Sequence, residues 1–123
     1  MKIIDTSIFI DHLRNHLPAS TWLISQNSEE MLFSAITETE LLAGQANNDE
    51  SRRERLMHML QQYTKVVIDN PVASLAGDLR RKYQILTPDA VIAASALLCH
   101  AELITKNVKD FKKVPGLRIS APY

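Results

Sequence analysis

Leu86-Thr87-Pro88-Asp89-Ala90-Val91-Ile92-Ala93-Ala94-Ser95-Ala96-Leu97, residues 86–97, is the stretch on which the fold turns. Proline suits the first helical position, and after Asp89 the run is almost wholly apolar as far as His100. A helix apolar on every side has no solvent face, so it is expected to lie buried at the centre of the molecule. On either side the chain alternates between strand and helix patterns. Upstream, Lys65 to Asp69 is a β-branched strand, and Asn70-Pro71 starts a helix running to about Tyr83. Downstream, Glu102 to Thr105 and Leu117 to Ile119 are short strands around a basic loop.

The first half repeats the alternation. Lys2 to Asp5 is an apolar strand ending in an acid, and Thr6 and Ser7 can cap a helix carrying Ile8, Phe9, Ile10 and Leu13. A second helix follows from Pro18 to about Gln26, then a strand from Met31 to Ile36. Thr37-Glu38-Thr39-Glu40 has the Thr-x-x-Glu form of a capping box, opening a short helix that Gly44 stops. Asp49 to Tyr63 places Leu56, Met59, Leu60 and Tyr63 at helical spacing among charges. Strands alternating with helices imply right-handed crossovers and a mainly parallel sheet covered on both faces. The expected fold class is therefore α/β, a three-layer α/β/α sandwich, as one domain over residues 1–123.

Composition narrows the classes. The content of 46% hydrophobic residues suffices for a core, yet no stretch approaches the roughly 20 apolar residues of a membrane span. The N-terminus lacks a basic segment followed by a cleavable apolar one, so the expected compartment is the cytoplasm. The single cysteine, Cys99, lies in an apolar run and reads as a small buried thiol. Fourteen Lys plus Arg balance fourteen Asp plus Glu, so net charge does not argue for nucleic acid; the basic residues do bunch at 52–55, 80–82 and 106–113. His12, His16, His58 and His100 show no metal-ligand spacing, and three scattered glycines form no nucleotide-binding loop. A serine nucleophile elbow is also absent.

Four acids fall where a parallel sheet binds ligands, beyond the carboxyl ends of its strands. Asp5 closes the first strand, Glu40 follows the second, Asp89 stands in the first turn of the central helix, and Asp110 follows the late strand ending at Thr105. Each has a plainer reading: Asp5 as a helix cap, Glu40 as half of a capping box, Asp89 as a partner of the helix dipole, Asp110 as a loop acid. Together they make a stronger case. Two carboxylates about 4 Å apart repel by roughly 4 kcal/mol at an effective dielectric near 20, a cost that a divalent cation removes. All-oxygen donors suit Mg²⁺, with Mn²⁺ as the alternative, and both accept phosphate oxygens as further ligands. A phosphodiester is the matching substrate, cleaved by in-line attack of metal-activated water.

At this point the residues resemble a known family. Ile3-Ile4-Asp5-Thr6-Ser7-Ile8-Phe9-Ile10-Asp11 is similar to the first motif of PIN domains. Ser34-Ala35-Ile36-Thr37-Glu38-Thr39-Glu40-Leu41-Leu42-Ala43-Gly44 is similar to the second. Residues 86–97, then Leu103-Ile104-Thr105-Lys106-Asn107-Val108-Lys109-Asp110-Phe111, resemble the third and fourth. Val114-Pro115-Gly116-Leu117 fits the tail of VapC-type members.

The resemblance implies a Mg²⁺-dependent endoribonuclease, the toxin of a toxin–antitoxin pair, with Asp5, Glu40, Asp89 and Asp110 as catalytic, metal-site acids. It implies that Glu40, which stands before Leu41 as the motif has it, is the acid of the second motif rather than Glu38, which lies two residues away and points in a different direction. Thr6, Thr105 and Asn107 match neutral supporting positions, and many relatives carry another acid where Asn107 stands. Also implied are a VapB-type antitoxin lying across the acidic groove and a homodimer, forming a heterotetramer or larger assembly with that antitoxin.

Met57, Met59, Leu60 and Trp22 are available for such contacts, although a Met and Leu stripe at helical spacing is more often core. Lys106, Lys109, Lys112 and Lys113 are the candidate ligands of RNA phosphate. Two other readings stay open at this stage. One is a PIN-like module that binds partners without cleavage. The other is a receiver-type phosphoacceptor domain, with Asp69 ending the third strand and Lys106 after Thr105; a receiver wants two acids at the first strand, where only Asp5 stands.

Overall fold

Ile3 and Ile4 are neighbours in strand β1 (Lys2–Ile4), both fully buried, and they belong to two different cores. The reason is the two-residue period of a strand, which sends successive side chains to opposite faces. The same division recurs in β2 (Met31–Ser34), where Leu32 faces one core and Met31 and Phe33 the other, and in β4 (Glu102–Ile104), where Leu103 and Ile104 part company. The computed structural model describes residues 1–123 and completes the sheet with β3 (Thr64–Val66) and β5 (Ile119–Ser120). The strand order is β3-β2-β1-β4-β5, and every adjacent pair is parallel.

Helices cover both faces, as the alternation of elements predicts. One core is closed by α1 (Thr6–Leu13), α2 (Leu17–Ser25), α3 (Ala35–Leu42) and α4 (Glu50–Leu60), with Phe9 set edge-on to Phe33 and Tyr63. The other is closed by α5 (Asn70–Tyr83), α6 (Thr87–Leu98) and the short α7 (Val108–Phe111). The central helix α6 is as buried as its composition predicts: every residue from Ala90 to Ala96 is buried, and the small side chains of Ala90, Ala93, Ala94 and Ala96 let neighbouring backbones approach. Leu60 is buried and Met59 packs against the same core, so the stripe on α4 is structural in its apolar part. No helix is long and apolar enough to cross a membrane.

Several boundaries depart from the sequence reading. Helix α3 begins at Ala35, two residues before the expected capping box, because Ser34 caps it by accepting the Ile36 N–H. Strand β3 stops at Val66 instead of reaching Asp69; its only partner, β2, ends at Ser34, so nothing remains to pair with Val67 and Ile68, which are exposed. The final strand is Ile119–Ser120 and not Leu117–Ile119. The expected basic loop contains α7, anchored by the buried Phe111. Cys99 is half-buried rather than buried, at the end of α6.

Candidate functional site

The chain starts in the middle of the sheet. From β1 it adds β2 and β3 on one side, then returns to add β4 and β5 on the other, so the strand order reverses between β1 and β4. The connections leaving these two strands diverge to opposite faces, which opens a crevice at their carboxyl ends. Asp5 stands at this point, 5% exposed, with its N–H bonded to the Ile104 carbonyl of β4. Its Oδ2 accepts two hydroxyl donors, Thr105 at 2.6 Å and Ser7 at 2.8 Å. Asp5 occupies the N-cap position of α1, yet its side chain makes no cap bond. Thr6 and Ser7 do not cap this helix either; both hydroxyls are turned to carboxylates.

Glu40 enters from α3. Thr6 donates to Glu40 Oε1 at 2.8 Å, and since its one hydroxyl proton is used there, the 2.9 Å contact with Thr37 has Thr37 as donor. The expected capping box is therefore absent. Thr37 lies inside α3 and supports Thr6, and Glu40 is released from a capping role. Glu38 points elsewhere and pairs with Lys65 at 3.3 Å, as its offset of two residues predicts.

Asp89 is half-buried in the first turn of α6, and no side-chain donor reaches it. Asp110, on α7, accepts from the Asn107 side-chain amide at 2.8 Å. Asn107 in turn gives its backbone N–H to the Thr105 hydroxyl at 2.9 Å, so Thr105 links Asp5 to the segment that holds Asp110. Asp89 feels the charge of the other three acids. Burial first, then the negative fields of Asp5, Glu40 and Asp110, push the Asp89 carboxyl up to about 6.

The donor set consists of hard carboxylate oxygens, which match Mg²⁺ or Mn²⁺. Asp5, Glu40 and Asp110 each have one oxygen held by a neutral donor and a second with no protein donor. No three of the acidic side chains close into a ready ligand cage. A cation among these acids would relieve the repulsion on Asp89.

Ser7, Thr37 and Asp11 escaped the sequence reading. Ser7 and Thr37 carried capping signals that concealed their part in the network. Asp11 faces Lys106 at 2.6 Å and accepts the Tyr123 hydroxyl at 2.7 Å, with Tyr123 packed on the His16 ring. The Lys106 hydrogen bond holds the Asp11 carboxyl below its ordinary value. Lys106 thus has a carboxylate partner, whereas Lys109, Lys112 and Lys113 are exposed on and after α7 with no ion pair. A sequence signal for Asp11 did exist, its spacing of four residues from Ser7 on one face of α1.

Comparison with known proteins agrees with this architecture. The family model for the PIN domain matches residues 2–117. Ribonuclease VapC19 of Mycobacterium tuberculosis is 35% identical, the match covering 96% of this chain and 98% of that protein. Ribonuclease VapC1 of Rickettsia felis is 32% identical, over 95% and 92% respectively. Among solved structures, a chain of a toxin-antitoxin complex from Klebsiella pneumoniae superposes with a TM-score of 0.83 at 32% identity, covering 100% of this chain and 98% of its own. DNA-bound VapBC from Salmonella typhimurium gives 0.85 at 21% identity over 99% and 98%, a likeness of fold. On the extent of these matches the chain belongs to the PIN-domain family, in its VapC-type group.

Proposed function

We propose that this chain, as one domain, is a Mg²⁺-dependent endoribonuclease that works in the cytoplasm as the toxin of a toxin–antitoxin pair. The observation that carries the reading is the buried Asp5 at the switch point of the sheet, held by Thr105 and Ser7, with Asp89 close enough to have its carboxyl raised by the charges of Asp5, Glu40 and Asp110. The VapC ribonucleases to which the chain is similar support RNA as the substrate. The toxin–antitoxin complexes among its structural neighbours support a VapB-type antitoxin as partner in an oligomeric complex, and within it we place the chain as a homodimer.

Asp5, Glu40, Asp89 and Asp110 would hold the cation, Mg²⁺ or Mn²⁺. When bound, such an ion supplies Lewis acidity toward phosphate oxygens and lowers the pKa of water. The protein's own part is orientation and charge. Thr105 and Ser7 fix Asp5, Thr6 fixes Glu40, and Asn107 fixes Asp110, each through the oxygen that faces the protein. The free oxygens are left to the crevice. Asp89 has no side-chain donor of its own, and burial with the neighbouring negative charges raises its proton affinity, a cost that a bound cation would offset.

The experiment is cleavage of a mixed RNA pool by the purified protein with Mg²⁺. Asp5→Asn and Asp89→Asn should each lower the rate by at least about 100-fold, and chelation should stop it. Variants cutting as well as wild type would refute the mechanism. RNA left intact under every divalent ion would favour the binding-module reading.

A further inference from the structure

A groove of about 780 Å³ runs between α1, α3, α4 and the 3-10 turn Gln45–Asn48, and Glu40 lines it. Its charge differs from that of the chain. Fourteen basic and fourteen acidic residues balance overall, yet the groove lining holds Arg14, Arg52 and Arg55 against the single acid Glu40. Arg14 and Arg55 make no ion pair or side-chain hydrogen bond, and Arg52 reaches Asp49 only at 4.0 Å, the limit of an ion pair. Unpaired guanidinium groups present a planar fork of donors that fits phosphate oxygens. Arg52 and Arg55 are three residues apart on α4 and project from one face, while Arg14 comes from the end of α1. His12 is the one ring in the lining, and its Nδ1 is 2.7 Å from the Ser20 hydroxyl; no Phe, Tyr or Trp stands beside it.

We infer that this groove binds the sugar–phosphate backbone of the RNA strand leading to the acidic centre, with Arg14, Arg52 and Arg55 as the phosphate ligands. The inference rests on the ribonuclease reading above and moves the main RNA contact away from the expected lysines. Lys106 is engaged by Asp11. Arginines that read phosphates make a contact tolerant of sequence, so the choice of cleavage site does not come from them. Apolar residues of the lining such as Leu13, Leu56 and Met59 give the ribose faces a dry wall. The three arginines against one acid give the groove a positive lining that complements a polyanion.

The test is binding of a fluorescent single-stranded oligouridylate by the full chain in EDTA, followed by anisotropy at several NaCl concentrations. Three phosphate contacts on a single strand carry a combined slope of about 2 in log K against log salt. The triple variant Arg14→Gln, Arg52→Gln, Arg55→Gln should lose that slope, so that between 50 and 200 mM NaCl wild-type affinity falls about 20-fold more than the variant's. The corresponding triple Lys variant should restore most of it, and an unchanged Tm would show that the fold is intact. An unchanged slope in the Gln variant overturns the inference. So does loss of the slope from Lys109→Gln, Lys112→Gln and Lys113→Gln instead, or a Gln variant that keeps RNA binding but loses a co-expressed antitoxin, which would make the groove a protein-docking surface. If wild type binds RNA through these arginines yet never cleaves it, the ribonuclease reading fails and the groove stands.

Discussion

The hydroxyl of Thr105 lies 2.6 Å from Oδ2 of Asp5, a bond between residues one hundred positions apart, with Thr105 fully buried and Asp5 nearly so. The same hydroxyl oxygen accepts the Asn107 N–H, so one side chain serves both ends of the acidic cluster. Thr105→Val keeps the shape and removes the donor and the acceptor together. It should cost about 1.5–3 kcal/mol in urea unfolding, the range for hydrogen bonds to charged groups. Mg²⁺ affinity should fall about 10- to 100-fold by calorimetry, as for other groups that orient metal-binding side chains. Thr105→Ser should recover most of both.

Asp89 makes stability depend on pH. Below its unfolded value of 3.8 the carboxyl is protonated in both states, and its ionisation does not affect the balance. Between 3.8 and about 6 the unfolded chain releases the proton while the folded chain holds it, so stability falls as pH rises; above about 6 the penalty is complete. In EDTA at pH 7.5, Asp89→Asn should therefore be more stable than wild type, by the order of 1 kcal/mol after allowance for solvent screening. The gain should vanish in melts below pH 3.8, and Mg²⁺ should raise the Tm of wild type more than that of the variant.

Glu38 and Glu40 separate structure from chemistry within one turn of helix. Glu38→Gln breaks a partly exposed pair with Lys65, worth under about 1 kcal/mol, and should leave cleavage within twofold of wild type. Glu40→Gln should leave Tm nearly unchanged and lower kcat by about 100-fold or more. Equal loss from both variants would contradict the orientations seen here.

Asp69 accepts the Val72 N–H at 3.0 Å and caps α5. Asp69→Ala should destabilise by about 1 kcal/mol in thermal melts. Incubation with acetyl phosphate should leave the intact mass unchanged, whereas an added phosphoryl group would revive the receiver reading.

Much of the fold was legible in the amino acids because the devices that build its elements are local. Asp69 and Pro71 define the start of α5, and Pro88 with an alanine-rich run defines α6. Alternating side chains in β1, β2 and β4 foretell a sheet covered on both faces. Strand ends and the PIN-like motifs mark Asp5, Glu40, Asp89 and Asp110 as the candidate acids. Where two local signals compete, the pattern misleads: Thr37 and Glu40 have the form of a capping box, but Ser34 takes the cap and frees both for contacts with Thr6.

The meeting of distant residues is of another kind. Thr105 reaches Asp5 because β4 pairs with β1 instead of β3, and Lys106 and Tyr123 reach Asp11 across the same side of the sheet. Strand order is settled by which apolar faces can be buried together, a property of the whole packed chain that no short window of residues carries. Caps, prolines and periodicity act within a few residues and can be read in one dimension. The crevice, its arginine-lined approach and the raised proton affinity of Asp89 exist only once the layers have closed around them.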